Sequence, residues 1–285
     1  MFDRTIYAPP FTIRVRSGLT SVADHVEHYY GALPVPAKSF IDFDIQVLSA
    51  AGPRRYLRPQ ANFVIDGQSP FLPLPENQAA ALFEWGLNWA IATRPLGYLV
   101  MHAAVLARND EAVVMPGFPG AGKSTLCAAL AWLNGWRLLS DELAILDPND
   151  VMLQPNPRPI SLKNTSIDVV AGFPGVRLGP RYLDTRKGTL CHASVPADSM
   201  TATARKATCR WVVFPRFTAG AEPSHAILTH AEAFALISEQ SFNKERMGEP
   251  GFVALCTMLD AATCHEIEYG TAEDGLRLIE EICRA

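Results

Sequence analysis

The sequence predicts an α/β fold with a mixed β-sheet, a glycine-rich loop between one of its strands and a helix, and a β-rich N-terminal extension. Three observations predict it. Short runs that alternate apolar and polar residues fill the first part of the chain, with the period of half-buried strands. From Leu99 onward, strand-like and helix-like runs succeed one another, the pattern of a sheet covered by helices. Among them lies one glycine-rich loop, with an apolar run before it and a leucine- and alanine-rich run after it. At 285 residues, 48% hydrophobic and 19% charged, the chain is long enough to bury its core without staples, and a wholly disordered chain is excluded.

Taken in order, residues 1–97 form the β-rich region. FTIRVRSG, FIDFDIQVL and ANFVIDG are its strands, separated by proline and glycine clusters. A helix follows from about Pro75 to Thr93, with Leu82, Phe83, Leu87, Trp89 and Ala90 as its apolar stripe and Pro95 as its stop. Residues 98–285 form the second domain. YLVMHAAVLA and EAVVMPG pair as a hairpin through the turn Arg108-Asn-Asp. A helix from Lys123 to about Leu133 ends at Asn134-Gly135, where glycine supplies a left-handed cap. RLLSDELAIL is strand-like, and the stretch from Asp147 to Thr208 is rich in loops. CRWVVFPRF returns as a strand. Helices over 231–242 and 251–261, a strand HEIEY and a helix over 272–284 close the chain.

The formal charge of −4 excludes a general polyanion binder, so no nucleic-acid partner is expected. The most apolar stretch, Ala79 to Met101, is broken by Glu84, Arg94 and Pro95, so no membrane span is expected. MFDRTIYAPPF has no apolar core of a signal peptide, which predicts a soluble cytoplasmic protein. The six cysteines, Cys127, Cys191, Cys209, Cys256, Cys264 and Cys283, contain no C-x-x-C pair. Metal-knuckle spacing is absent and a disulfide framework is not expected; reduced, mostly buried thiols are. His192 and His225 lack partners at metal-ligand spacing and are taken as structural. Oligomeric state stays open, a homo-oligomer included.

Gly117-Phe-Pro-Gly-Ala-Gly122-Lys123-Ser124 fits G-x-x-x-x-G-K-[ST]. Gly117, Gly120 and Gly122 let backbone N–H groups converge on phosphate oxygens with no Cβ in the way. The helix that starts here adds the positive end of its dipole. The predicted nucleotide cradle is therefore Gly117, Phe118, Pro119, Gly120, Ala121, Gly122, Lys123, Ser124 and Thr125. Lys123 reaches the β- and γ-phosphates of ATP, and Ser124 binds Mg²⁺ through its hydroxyl.

RLLSDE presents Asp141 and Glu142 after an apolar run, 141 − 123 = 18 residues beyond the lysine. One helix of about three turns and a short turn fill that gap, so the strand is expected to return beside the loop strand with its acids next to the phosphates. One acid can hold Mg²⁺; the other can accept a proton from an attacking hydroxyl. His102, on the strand before the loop strand, is either a hydrogen-bonded core residue or a group that orients the acid. Arg158, Lys163, Arg177, Arg181, Arg186, Lys187 and Arg205 are spread through 150–210. The segment holding Arg186 and Lys187 is the first candidate for a cationic flap over the phosphates, and Lys163 the second source of a cation.

VMHAAVLARNDEAVVMPGFPGAGKSTLCAALAWLNGWRLLSDELAIL resembles the catalytic core of the bacterial HPr kinase/phosphorylase family: a His-containing strand, a phosphate loop, one helix and a paired-acid strand in the same order and spacing. PRPISLKNTSIDV, TRKGTLCHASVP and the chain's ending look like the shorter relatives called HPr-kinase-related proteins, type A. The resemblance implies a fold akin to the nucleotide domain of phosphoenolpyruvate carboxykinase. It implies ATP- and Mg²⁺-dependent phosphorylation of a serine on a protein or peptide substrate. Lys123 and Ser124 match the phosphate and metal residues, Asp141 the catalytic acid that activates the acceptor, and His102 the histidine that supports it. Glu142 stands where the family has a second, metal-binding Asp. Residues 1–97 do not look like the family's usual N-terminal domain, and the later stretch linked to the reverse reaction is not found, so neither phosphorylase activity nor HPr as substrate follows. A small-molecule kinase or carboxykinase-like enzyme, and a non-catalytic nucleotide-binding regulator, are the alternatives.

Overall fold

The computed structural model describes every residue except 38, 53–55, 95–96, 118–119 and 285. The chain gathers into two compact units, residues 1–90 with 180–191, and residues 91–179 with 192–285.

The first unit is built on strands β1 (Phe2–Ala8), β2 (Phe11–Ser17), β3 (Phe43–Ser49), β4 (Gln60–Ile65) and the short β5 (Leu74–Pro75), lying in that order in one sheet. β1 was not foreseen; it pairs antiparallel with β2 from Phe2↔Ser17 to Ala8↔Phe11. Helix α1 (Thr20–Tyr30), also unforeseen, is the crossover that lets β3 lie parallel to β2. Alternation works as read. Ile13, Val15, Ile45, Val47, Phe63 and Ile65 are buried, and their intervening neighbours are more exposed. Helix α2 (Ala79–Thr93) follows a 3-10 turn at Glu76–Gln78. Leu82, Phe83, Leu87 and Ala90 of its expected stripe are buried, whereas Trp89 is only half-buried. The buried Glu84 accepts from Tyr30 Oη at 2.8 Å and pairs with His25 Nε2 at 2.7 Å. The charge that interrupts the apolar stretch in the sequence is thus held in the core by partners from α1.

The second unit opens with β6 (Leu99–Arg108) and β7 (Glu111–Pro116), a hairpin whose turn residues Asn109 and Asp110 both have positive φ, 53° and 65°, as a two-residue hairpin loop demands. Helix α3 (Lys123–Leu133) ends with Gly135 at φ 67°. Next come β8 (Arg137–Ser140), β9 (Leu143–Asp147), β10 (Met152–Gln154), β11 (Ile160–Lys163) and α4 (Thr165–Ala171). The chain then passes through the hairpin of β12 (Tyr182–Thr185) and β13 (Gly188–Ala193), which belongs to the first unit up to Cys191, before a short α5 (Ala197–Thr201). The stretch from 147 to 208, expected to be loop-rich, is about half loop, and six short elements lie within it, each too brief for its period to register in the sequence. β14 (Thr208–Phe217), β15 (Ser224–Leu228), α6 (His230–Glu239), α7 (Lys244–Asp260), β16 (Thr263–Tyr269) and α8 (Ala272–Ile282) complete the chain. Gly248 breaks α7 with φ 55° and ψ −138°, so its regular part restarts at Glu249-Pro250, near the expected start. α6 begins with a capping box between Thr229 and Glu232.

The main sheet runs β10-β9-β6-β7-β14-β16-β15, with β8 also on β6. β7, β14 and β16 are parallel neighbours; β6 is antiparallel to β7. Met101, Ala103, Val105 and Ala107 of β6 pack with Ala233 and Ile237 of α6 and with Ala254, Leu255, Met258 and Leu259 of α7. By alternation His102 turns to the other face, the face of α3. All six cysteines are free thiols, and Cys127, Cys191, Cys209 and Cys264 are buried. Among the described residues, no helix is long and apolar enough to cross a membrane.

Candidate functional site

The strand carrying the acids does not lie beside the loop strand, as the sequence suggested. It lies beside β6, one place further out. β8 and β9 are both antiparallel to β6, with Val105↔Ser140 and His102↔Leu143 in one register. Asp141 and Glu142 are the two residues between those pairings, a gap in the middle of one long strand rather than its end. The hairpin explains the placement: β6 claims the β7 edge first, so α3 must cross over β6 before the chain can re-enter the sheet. The chain passing over that helix nonetheless brings Asp141 back to its first turn. The Ser124 hydroxyl donates to Asp141 Oδ2 at 3.2 Å.

The loop leaves β7 after Pro116. Gly120 and Gly122 have φ of 92° and 82°, in the left-handed region that favours glycine. A Cβ on Gly122 would collide with Tyr269 Oη and lie 2.9 Å from Phe217 Cβ. Tyr269 Oη itself donates to the Ala121 carbonyl at 3.2 Å. Of the predicted cradle, Phe118 and Pro119 lie outside the described residues. Lys123 Nζ folds back to donate to the Gly117 carbonyl. Burial lowers its pKa to about 8, against the opposing charges of Asp141 and Glu142; it is still a cation at neutral pH. Thr125, the next helical residue, is half-buried.

Asp141 is 5% exposed. Its Oδ2 accepts from Ser124 and from the Ser161 backbone N–H, at 3.0 Å for the latter. Its Oδ1 is buried with no hydrogen bond. Burial, then the neighbouring Glu142 charge, raise its pKa to about 6. Glu142 meets Lys163, with Nζ 3.7 Å from Oε1. Lys163 is the end of β11, where the Ser166 hydroxyl bonds both its backbone N–H, at 2.8 Å, and its carbonyl, at 2.6 Å. Its charge is felt by Lys123, Asp141 and His102 alike.

His102 faces this cluster. Where β7 turns away into the loop, residues 240–243 take its place along β6. His102 N–H donates to the Gln240 carbonyl at 2.7 Å and Phe242 N–H to the Val100 carbonyl at 3.0 Å. Asn243 Oδ1 accepts from Val100 N–H at 2.9 Å. This is why α6 stops at Glu239 and not at 242, as its sequence pattern suggested. Burial and the Lys123 charge push His102 down to about 4, so its imidazole is neutral near pH 7.

Lys123, Ser124, Asp141, Glu142, His102 and, of the basic candidates, Lys163 therefore converge. Arg205 does not: it pairs with Asp110 in the hairpin turn at 2.8 Å. The buried Arg158 bonds Asn156 Oδ1 at 2.8 Å. Arg186 and Lys187 are exposed on the β12–β13 turn, where Lys187 N–H donates to Thr185 Oγ1 at 3.2 Å. That turn falls in the first unit. The sequence reading missed the Ser161 N–H and the 240–243 segment. The first acts through a backbone group, which leaves no side-chain signature; the second combines the backbone of Gln240 and Phe242 with the Asn243 side chain, and a lone Asn in a polar stretch does not stand out.

A magnesium ion suits this donor set. Mg²⁺ takes oxygen ligands, one or two from protein carboxylates or hydroxyls and the rest from phosphates and water. Ser124 Oγ, the unbonded Asp141 Oδ1 and Glu142 are such donors. Among the described residues no three His, Cys, Asp or Glu side chains form a ready-made cage.

No protein-family model matches the chain, and no curated protein matches it. Among solved structures, the HPr(Ser) kinase/phosphatase from Coxiella burnetii is similar over 65% of this chain and 93% of its own, at 14% identity and a TM-score of 0.30. Agreement at that level identifies no activity, so the functional reading stands on the geometry of the site.

Proposed function

We propose that the protein is an ATP- and Mg²⁺-dependent phosphotransferase that moves the γ-phosphoryl group to a hydroxyl, a serine of a small protein or peptide being the favoured acceptor. One observation carries the reading. A buried carboxylate, Asp141, is bonded through one oxygen to the phosphate-loop Ser124 while its other oxygen has no hydrogen bond. A buried acceptor left unsatisfied costs about 1–3 kcal/mol, a cost that makes sense where an ion or a substrate proton completes it.

In this reading the loop amides and Lys123 hold the β- and γ-phosphates. The acceptor oxygen attacks the γ-phosphorus in line; the new O–P bond forms as the β–γ bridging P–O bond breaks, and ADP leaves. Asp141 takes the acceptor's proton. Its pKa of about 6 keeps it mostly ionised at pH 7 yet basic enough to share that proton. Ser124 and Glu142 would hold the metal, which would supply positive charge to offset that of the phosphates. Neutral His102 fixes the shape and field behind the acids without adding a charge. Lys163 is the further cation that the second unit itself supplies. The resemblance noted in the sequence agrees with this chemistry and nominates the serine acceptor.

The test is ATP turnover and nucleotide binding for Asp141→Asn beside Lys123→Ala, with labelled ATP and a cell extract as acceptor source. Both variants are expected to be inactive, with nucleotide binding lost only in Lys123→Ala. Full function in cells for Asp141→Asn would instead favour a non-catalytic nucleotide-binding regulator. Label passing to a small molecule and to no protein band would favour a small-molecule kinase.

A further inference from the structure

Resting on the nucleotide reading, we propose that Phe217 is the platform on which the base of the bound nucleotide stacks. Of the groups suited to the γ-phosphate, His102, Asp141 and Glu142 lie on the flank of β7 formed by β6, β8 and β9, and Lys163 of β11 joins them through Glu142. A triphosphate wrapped by the loop has its transferable end on that flank, so its nucleoside leaves toward the other one, where β14 and β16 run parallel to β7. Ligands of such sheets sit beyond the carboxyl ends of the parallel strands. Phe217 is the last residue of β14.

Its surroundings are those of a supported, open aromatic face. Phe217 is 43% exposed, unusual for a phenylalanine ending a central strand. It abuts Gly122, the residue that caps α3 and closes the loop. Its ring packs against Tyr269 at 5.7 Å between centroids and 61° between planes. Tyr269, 2% exposed, is in turn bonded to the loop carbonyl of Ala121. The next residue is pinned as well: Thr218 N–H donates to the Tyr269 carbonyl at 3.1 Å and Thr218 Oγ1 to Glu268 Oε1 at 2.8 Å. A ring held this way loses little freedom on binding, and stacking on it suits any base with a π-face.

The experiment is calorimetric binding of ATP and of inorganic triphosphate to the full chain, for the wild type, Phe217→Leu and Phe217→Trp. Leucine keeps the packing on Tyr269 but removes the π-face. The expected result is roughly ten-fold weaker ATP binding by Phe217→Leu, with triphosphate binding unchanged. Phe217→Trp is expected to retain ATP affinity and to gain, over the wild type, a fluorescence signal quenched by ATP and not by triphosphate. Unchanged ATP affinity in Phe217→Leu, or equal weakening of both ligands, overturns the proposal while leaving the nucleotide reading intact. If Phe217→Leu does not fold, absence of the ATP-specific quench in Phe217→Trp overturns it. A wild type that binds neither ligand removes the nucleotide reading and this inference together.

Discussion

The Ser124 hydroxyl reaches Asp141 Oδ2 at 3.2 Å although the strands leading to the two residues are separated in the sheet by β6. The contact therefore depends on α3 crossing β6 and on the gap between β8 and β9, and it ties the first turn of the loop helix to the acids. Alanine at 124 removes a proposed ligand for the ion and the hydroxyl donor that holds Asp141. Turnover by Ser124→Ala is expected to fall about a hundred-fold, with a higher Mg²⁺ concentration needed for half-maximal rate. Metal titration of the steady-state rate checks it; an unaltered Mg²⁺ requirement would contradict the assignment.

The pH dependence follows from two shifted groups. Asp141, raised to about 6, must be ionised to accept a proton, so kcat/KM is expected to fall as pH drops through about 6. Lys123, lowered to about 8, must be protonated to hold phosphate, so the rate is expected to fall again above about 8. His102, near 4, stays neutral throughout and adds no limb. Since kcat/KM reports the free enzyme and the ion arrives with the nucleotide, these values apply before metal binds. Lys123→Arg, whose guanidinium stays charged, should lose the alkaline limb and keep the acidic one; a variant that keeps both limbs would show that Lys123 is not the titrating group.

Much of this site was legible because its parts are local. The hairpin turn at Asn109-Asp110 and the end of α3 at Asn134-Gly135 each need particular residue types at fixed offsets, and the structure has them where the sequence places them. The order of strands was not legible. Spacing tells how far a chain can travel, not which edge it finds free, and the β6–β7 hairpin had already taken the edge that the acids were expected to join. β1 and α1 were missed because mixed polar and apolar residues blur their periods. The Ser161 N–H was invisible because backbone groups carry no residue signature, and the 240–243 segment because its pairing with β6 is backbone apart from Asn243, one Asn among many polar residues.

Gly122 is fixed twice over, by its left-handed φ of 82° and by the crowding of Tyr269 Oη and Phe217 Cβ. Gly122→Ala is expected to lose roughly 1–2 kcal/mol from backbone strain alone and to weaken ATP binding about a hundred-fold by shifting the loop. Adding Tyr269→Phe removes the nearest clashing atom, so the double variant should recover part of the binding loss but not the backbone part of the stability loss. Thermal melts and calorimetry on the two variants separate the effects; identical binding by both would mean that Tyr269 does not crowd the loop.

Far from the loop's mouth, Glu280 of α8 ties together the hairpin turn and the end of α3. It receives both Arg108 terminal nitrogens, at 2.6 and 2.9 Å, Trp136 Nε1 at 2.8 Å and Asn134 Nδ2 at 3.1 Å. Arg108 also lies over the Trp136 ring at 4.4 Å. These donors, Arg108 first, hold the carboxyl at about 2, below its ordinary 4.5. A depressed acid contributes stability that is fully present above its unfolded pKa and is lost as pH falls from about 4.5 toward about 2. Glu280→Gln keeps the size and loses the charge. Because Arg108 is more than a third exposed, the expected cost at pH 7 sits at the low end for such a group, about 2 kcal/mol. Urea denaturation of both proteins at pH 7 and near pH 2 provides the measurement. The wild-type advantage should shrink on acidification, and a difference that stays constant with pH would mean that shape, and not the carboxylate charge, is what Glu280 contributes.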